Sequence, residues 1–239
     1  MGNKNSLINL KKSSFVFLFL IMTAPVIFFI PVSLIIGLFT LEEIFTNLFH
    51  PLLIPVYALL QMNLMPFFYP GADTLRHVLI FGSMFVLVVP PIIWYILLYK
   101  LKVIESWKAS TRKERIWPYL FTILSYLLVS TICYLLRVDY GFTELWFGAT
   151  LALVMVFIIN FFWKISAHAT GLGSWLGMLF FLSIYNDYSL LSEIIVVSLS
   201  SGLIGWSRLK LEAHTPLQVF FGFLLGLFFV GILPFFIFL

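Results

Sequence analysis

Charged residues divide the chain into long uncharged segments. No Asp, Glu, Lys or Arg occurs between Lys12 and Glu42, and further uncharged segments cover 44–72, 77–99, 116–136, 145–163, 165–186, 194–207 and 213–239. A bilayer core of about 30 Å is crossed by roughly 20 apolar residues in a helix, and a helix satisfies its own backbone polar groups away from water. The pattern therefore predicts eight crossing helices, near residues 14–39, 48–69, 77–99, 117–136, 144–162, 167–185, 190–207 and 215–238.

The first two crossings are less regular than the others. The first could be mistaken for a signal peptide, but it is longer than one and lacks a small-residue cleavage motif, so we expect a retained helix. The second is interrupted by Pro51, Pro55 and Pro66 and opens at His50. Because proline removes a backbone donor and breaks helices, a re-entrant or interfacial segment is the alternative there, and the total is seven or eight.

The composition agrees with a lipid environment. Apolar residues make up 62% of the chain and charged residues 10%, whereas a soluble domain carries about a quarter charged residues. The predicted fold class is an all-α, polytopic membrane bundle. The single cysteine, Cys133, excludes a disulfide framework and a cysteine-based zinc site, and we expect it to pack as a small hydrophobe.

Most basic residues fall on one side of the predicted membrane. Short loops make successive helices alternate in direction, so three polar segments, Lys100–Arg115, Lys164–His168 and Arg208–His214, meet the same face. That face carries Lys100, Lys102, Lys108, Arg112, Lys113, Arg115, Lys164, Arg208 and Lys210. From the fourth crossing onward, the other face carries only Arg137, Asp139, Glu144, Asp187 and Glu193.

Two interpretations fit this asymmetry. Basic loops are typical of the cytoplasmic side of membrane proteins, or the cations are gathered to bind an anion such as a lipid phosphate. Capping signals favour the second interpretation. Trp117-Pro118, Ser166 and Thr215-Pro216 each mark a helix start on the basic face, and helix N-termini attract anions.

Two histidines, His168 and His214, lie on the same face next to predicted helix starts. A single histidine near a helix end is more often an interfacial residue than a catalyst. Polar groups at membrane depth are costly, however, so two such clusters on one face indicate a functional site.

The motifs around these histidines resemble those of the type 2 phosphatidic acid phosphatases, which are related to vanadium haloperoxidases. The family pattern is K-x6-R-P, then P-S-G-H, then S-R-x5-H-x3-D. The third part is matched by Ser207-Arg208 and His214, with Gln218 in place of the aspartate. The second is matched loosely by Ser166-Ala167-His168, and the first by Lys108 and Arg115, with the proline displaced to Pro118.

The resemblance covers about residues 100 to 230 and implies a role for each matched residue. His214 would attack phosphorus and His168 would protonate the leaving oxygen. Lys108, Arg115 and Arg208 would neutralise the phosphoryl oxygens, with Ser166 and the helix N–H groups completing the cradle. Lys164 is an extra cation that the pattern does not require.

Gln218 is the main departure from the pattern. The family aspartate orients the nucleophilic imidazole and stabilises its developing charge, and a neutral amide supplies no charge, so we expect a weakened site. Thr215-Pro-Leu-Gln218 also fits a capping box. If Gln218 serves only as that cap, His214 has no orienting partner in the motif.

The resemblance implies two units, an N-terminal set of three helices over 1–100 and a phosphatase-like core over 101–239. The predicted function is a metal-independent hydrolase of a membrane lipid phosphate or diphosphate, without a cofactor, metal or nucleic-acid partner. A non-catalytic lipid-phosphate binder or transporter is the alternative, and a structural subunit is the third. A bacterial inner-membrane location is expected. Eight crossings would place the basic face outside, and seven would place it in the cytoplasm.

The glycine pairs Gly173/Gly177 and Gly222/Gly226 predict close packing of the sixth and eighth crossings, because small residues let helix backbones approach within lipid.

Overall fold

The computed structural model describes residues 40–65, 73–105, 109, 111–138 and 140–237. Its helices are α1 Leu41–Leu48, α2 Ile54–Asn63, α3 Asp73–Lys100, α4 Ile116–Leu135, α5 Tyr140–Asn160, α6 Ala167–Tyr185, α7 Leu191–Lys210, α8 Pro216–Leu227 and α9 Leu233–Ile237. A π-helical turn, Phe228–Ile232, joins α8 to α9. All regular elements within the described ranges are helical, as the uncharged segments predicted. The first predicted crossing, 14–39, lies outside these ranges.

Five of the described helices are long and apolar enough to cross a bilayer. They are His77–Lys100, Ile116–Leu135, Gly141–Asn160, Ala167–Tyr185 and Pro216–Ile237. They correspond to the third, fourth, fifth, sixth and eighth predicted crossings, each within a few residues. The seventh forms α7, which is long enough but contains five serines in 20 residues and does not reach the same apolarity. A total of seven or eight crossings stays a prediction.

The second predicted crossing, 48–69, is not one continuous helix over its described part. α1 ends at Leu48, and α2 begins only at Ile54, because Pro51 and Pro55 interrupt the backbone hydrogen-bond ladder. The ten residues of α2 span roughly 15 Å, about half of a bilayer core. The segment is therefore not the single continuous helix that was expected, and its described part favours the re-entrant or interfacial alternative.

Helix α6 lies at the centre of the bundle. Its side chains Leu172, Trp175, Leu179 and Phe181 are almost completely buried, and α6 contacts α2, α5, α7 and α8. Cys133 on α4 is buried in the same apolar core, as expected. The bundle therefore surrounds the helix that carries His168.

The most extensive helix pair is α6 with α8, and glycines form its contact. A Cβ on Gly173 would collide with the carbonyl of Phe223, and one on Gly226 would collide with the carbonyl of Thr170. Gly177 lies against Gly231, and Gly222 against the carbonyl of Ser166. The predicted close packing of these two helices is confirmed, and it brings their N-termini side by side.

Candidate functional site

The turn between α7 and α8 explains the spacing between Arg208 and His214. The N–H of Ala213 donates to Arg208 O at 3.1 Å, and the N–H of Glu212 donates to Leu209 O at 2.9 Å. Glu212 has a positive φ of 51°. This is a Schellman motif, which ends a helix in one left-handed residue. Arg208 is thus held in the last turn of α7, and His214 immediately precedes the next helix.

Helix α8 begins with a capping box at Thr215. The Thr215 hydroxyl accepts from Gln218 N at 3.4 Å, and Gln218 Oε1 accepts from Thr215 N at 3.2 Å. The capping box expected from the sequence is therefore present. Because Thr215 N–H needs an acceptor, this bond also fixes which end of the Gln218 amide is the oxygen.

The same amide oxygen reaches His214. His214 Nδ1 lies 3.2 Å from Gln218 Oε1 and 3.1 Å from the carbonyl oxygen of Lys164. Both neighbours are acceptors, so Nδ1 carries the proton and Nε2 keeps its lone pair. The expectation that a capping Gln218 would leave His214 without a partner is wrong, since one oxygen serves both groups.

His214 is held in its neutral form. Burial, and then the charges of Arg115 and Arg208, lower the pKa of His214 to about 4, against a smaller opposing contribution from Gln218. Desolvation and neighbouring cations both disfavour a second positive charge on the ring. At neutral pH the Nε2 lone pair is therefore available as a base or nucleophile.

The N-terminus of α6 is bound directly to that of α8. Ser166 caps α6, with its hydroxyl accepting from Ala169 N at 3.4 Å, and Ser166 N–H donates to Gln218 O at 3.2 Å. Ser166 is completely buried and does not line the cavity described below. Its predicted capping role is confirmed, but the structure does not place its hydroxyl in an anion cradle, because the cap occupies it.

His168 is the second residue of α6 and is also held by α1. It makes a hydrogen bond with the backbone of Thr46. Its Nε2 atom is buried and has no hydrogen-bond partner among the described residues. A polar atom buried without a partner is costly, so a ligand that accepts from or donates to Nε2 would relieve that cost.

Arg115 stands at the N-terminus of α4 and connects it to α6. Its Nε donates to Ala109 O at 3.0 Å, and one terminal nitrogen donates to Ile165 O at 3.4 Å. The neighbouring Arg112 points elsewhere and donates to Phe161 O and Phe162 O at the end of α5. Lys108, the predicted first residue of this motif, lies outside the described residues.

Arg208 and Lys164 complete the charged group. Arg208 donates to Thr46 Oγ1 at 3.4 Å, and its Nε is buried without a partner among the described residues. Partial burial, together with Arg115 and Arg208, lowers the pKa of Lys164. Three cations therefore surround His214 closely enough to affect one another.

These side chains line one cavity of about 620 Å³. Its polar end contains Arg115, Lys164, His168, Arg208 and His214, so the structure brings together five of the predicted site residues. The rest of its wall is mostly apolar and is formed by α2 to α6 and the π-helical turn, including Leu59, Pro91, Trp146, Ala149, Ala152, Leu153, Val156, Trp175, Met178 and Val230. Gln218 does not line it and supports His214 from behind.

Two residues of this site were missed by the sequence analysis. Thr46 contacts both Arg208 and His168, and the ring of His50 lies edge-on to that of His168, with 5.9 Å between ring centroids. Both precede the region that resembles the phosphatases. His50 was noted only as the start of an irregular crossing, and the signal that could have found it was a histidine next to a proline within an apolar segment.

No protein-family model, curated protein or solved structure matches the chain. Within the described ranges, no group of three or more His, Cys, Asp or Glu side chains is placed to hold a metal ion. The groups gathered at the polar end of the cavity are the three imidazoles of His50, His168 and His214 and the three cations of Arg115, Lys164 and Arg208.

Proposed function

We propose that this protein is a lipid phosphatase of the type 2 phosphatidic acid phosphatase kind, working through a phosphohistidine. The observation that supports it best is the composition of one cavity wall, with three histidines and three cations at one end and mostly apolar side chains along the rest. Such a cavity matches a molecule with an anionic head and a hydrocarbon tail.

His214 is the proposed nucleophile. Its Nδ1 proton is directed at Lys164 O and Gln218 Oε1, which leaves Nε2 to attack phosphorus. The Nε2–P bond forms as the P–O bond to the lipid breaks, and the leaving oxygen takes a proton from His168 in its imidazolium form, which the negative charge of the bound phosphate favours. Water then attacks phosphorus, His168 recovers a proton from that water, and the N–P bond breaks to release orthophosphate.

Arg115, Arg208 and Lys164 are the proposed phosphate ligands. Phosphoryl transfer is accelerated mainly by positioning and by charges directed at the equatorial oxygens. A guanidinium can bind two oxygens with its planar fork, and Arg208 has an unsatisfied Nε for this purpose. The first N–H groups of α6, at Ala167 and His168, add donors at the cavity wall.

The apolar part of the cavity is the proposed site for the lipid tail. Among the lining residues, Met178 lies roughly 16 Å along α6 from Ala167, and Leu145 lies roughly 16 Å along α5 from Val156. One leaflet of a bilayer contributes about 15 Å of hydrocarbon. The cavity is therefore deep enough to shelter one full lipid chain inside the bundle.

A second candidate function is a lipid-phosphate binder that does not turn over. Gln218 supports it, because a neutral amide beside His214 stabilises the imidazolium-like charge that develops on attack less than a carboxylate would. In serine proteases, replacing the corresponding aspartate by an amide lowers turnover by about ten-thousand-fold.

One experiment separates the two candidates. Purified protein in lipid nanodiscs is incubated, without added metal, with phosphatidate, phosphatidylglycerophosphate and polyprenyl diphosphate, and orthophosphate release is measured. The phosphatase proposal expects release from at least one lipid, inhibition by vanadate and loss of release in His214→Ala. If no lipid is hydrolysed while binding depends on Arg115 and Arg208, the protein is a binder. If Arg208→Ala changes neither hydrolysis nor binding, both candidates are wrong.

A further inference from the structure

A backbone hydrogen bond sets the tautomer of His50 and leaves its Nε2–H as the donor of the ring. The N–H of Leu52 donates to His50 Nδ1 at 3.3 Å, so Nδ1 holds a lone pair and the proton is on Nε2. His50 lines the same cavity as the two predicted histidines. Desolvation and the charge of Arg208 lower the pKa of His50, which keeps the ring neutral and this tautomer in place at neutral pH.

The position of His50 relative to the other groups is also defined. Its ring packs edge-on against His168, and both lie in electrostatic range of Arg208. His214 lies in range of Arg115, Arg208 and Lys164, and its charge also reaches His168. His168 is therefore the histidine that both His50 and His214 lie near, and Arg208 lies near all three.

Thr46 forms hydrogen bonds with two of these residues. It makes a backbone hydrogen bond with His168, and its hydroxyl accepts from Arg208. His50 lies in the loop that follows α1, and it lines the same cavity as Thr46. Thr46 and His50 therefore both lie next to His168.

In-line transfer gives the position of His50 a role. The attacking and leaving atoms lie on opposite sides of phosphorus, and in the proposed function His168 protonates the leaving oxygen, so the leaving group lies beside His168 and the His50 ring that packs against it. An alcohol leaving group presents one oxygen, which His168 already serves, and its next atoms are carbons. A diphosphate leaving group instead presents phosphate oxygens, which can accept from the Nε2–H of His50.

We propose that His50 binds the departing phosphate of a lipid diphosphate, with its Nε2–H donating to an oxygen of that group. This inference rests on the proposed function, because it takes His214 as the attacking group and His168 as the acid. It selects diphosphates from the lipid phosphates that the site could accept, since a departing phosphate keeps two oxygens, besides the one that His168 protonates, that can accept from His50.

The test compares two substrates with the same chain, a polyprenyl diphosphate and the corresponding monophosphate. In His50→Phe, the ring contact with His168 is kept and the donor is removed. We expect kcat/KM for the diphosphate to fall at least tenfold more than kcat/KM for the monophosphate. His50→Gln, which restores a side-chain N–H, should recover much of the difference. Equal losses on the two substrates, or none, would overturn the inference.

A binding measurement keeps this test separate from the proposed function. Affinity for both lipids is measured in nanodiscs in the His214→Ala background, where no turnover is required. We expect a preference for the diphosphate that His50→Phe removes. If wild-type protein releases no orthophosphate, the phosphatase proposal fails while this comparison still decides the role of His50. Absence of any diphosphate preference would overturn that role even in an active enzyme.

Discussion

His214 and Gln218 share a hydrogen bond across one turn of chain, with His214 Nδ1 3.2 Å from Gln218 Oε1. The same oxygen accepts the N–H of Thr215 and so closes the capping box of α8. The helix start and the orientation of the imidazole are therefore set by one side chain. This arrangement fixes the tautomer of His214 without adding a negative charge.

We expect Gln218→Asp to raise turnover by at least tenfold. A carboxylate beside Nδ1 would stabilise the positive charge that develops on the imidazole during attack, as it does in serine proteases. Asp is also acceptable in the first turn of a helix, so the cap should lose no more than about 1 kcal/mol. The measurement is kcat for orthophosphate release, with thermal unfolding in the same detergent as a check on folding.

Gln218→Leu is the matched control, because it keeps the approximate volume and removes the oxygen. It should lower kcat further and destabilise the start of α8. If Gln218→Asp and Gln218→Leu have the same kcat as wild type, the side chain does not orient the reacting group.

The pH profile should reflect the low pKa of His214. The free enzyme needs neutral His214, so kcat/KM should lose activity on the acid side only as pH falls through about 4. Gln218→Asp adds a negative charge that favours the imidazolium, which raises this pKa and moves the acid limb to higher pH. An acid limb near pH 6.5 in wild type, unmoved by the substitution, would contradict this assignment.

Two neighbouring arginines should differ in their effect on activity. Arg115 lines the cavity, whereas Arg112 lies outside it and donates hydrogen bonds to the carbonyl oxygens of Phe161 and Phe162. Arg115→Gln should therefore lower kcat/KM by about a hundredfold, equivalent to about 2.7 kcal/mol of transition-state stabilisation. Arg112→Gln removes the same charge and should lower kcat/KM by less than about threefold, equivalent to roughly 0.6 kcal/mol. Similar losses in the two variants would indicate a general effect of surface charge.

The apolar part of the cavity should determine preference for chain length. Ala152 is buried and lines that part, so Ala152→Phe would occupy space proposed for a lipid chain. We expect kcat/KM for a long-chain substrate to fall at least tenfold relative to that for a short-chain analogue. Ile158→Phe on the exposed side of the same helix is the control and should leave this ratio unchanged. No difference between the two Phe variants would place the tail elsewhere.

Replacing glycines by alanine should show which glycines are needed for close contact between helices, because only those substitutions should lower stability. A Cβ on Gly226 would collide with the Thr170 carbonyl, whereas nothing lies within 4 Å of one on Gly202. Gly226→Ala should lower the stability of the bundle by about 1–3 kcal/mol, the usual cost of overpacking. Gly202→Ala should leave it unchanged or slightly raised, since alanine favours helix. Thermal unfolding of both variants in one detergent is the measurement, and equal Tm values would contradict the contact.

The sequence predicts the long helices well, because an uncharged segment of about 20 residues has few alternatives in a bilayer. The caps at Ser166 and Thr215 and the glycine contacts of α6 with α8 are also predictable, since each depends on residues close together in sequence. The common position of His168 and His214 follows from alternating helix direction alone.

Other features depend on contacts that the sequence does not show. Thr46 and His50 reach the site only because Pro51 and Pro55 end one helix and start another, which turns an expected crossing into two short helices. Ser166 was expected to face an anion, but its hydroxyl is used by Ala169 N–H. The double use of Gln218 Oε1 depends on the angle at which His214 meets α8, and no local pattern sets that angle.

The glycine-lined contact between α6 and α8 limits the routes by which a large ligand can enter the cavity. Their backbones touch, and Ser166 N–H donates to Gln218 O, so His168 and His214 are held on one closely packed helix pair. An opening of the cavity between α6 and α8 is therefore unfavourable, and entry requires other helices to move apart. We expect any opening to separate α1 and α2 from this pair, because they contact it through side-chain contacts, such as those at Thr46 and Gln61, and not through touching backbones.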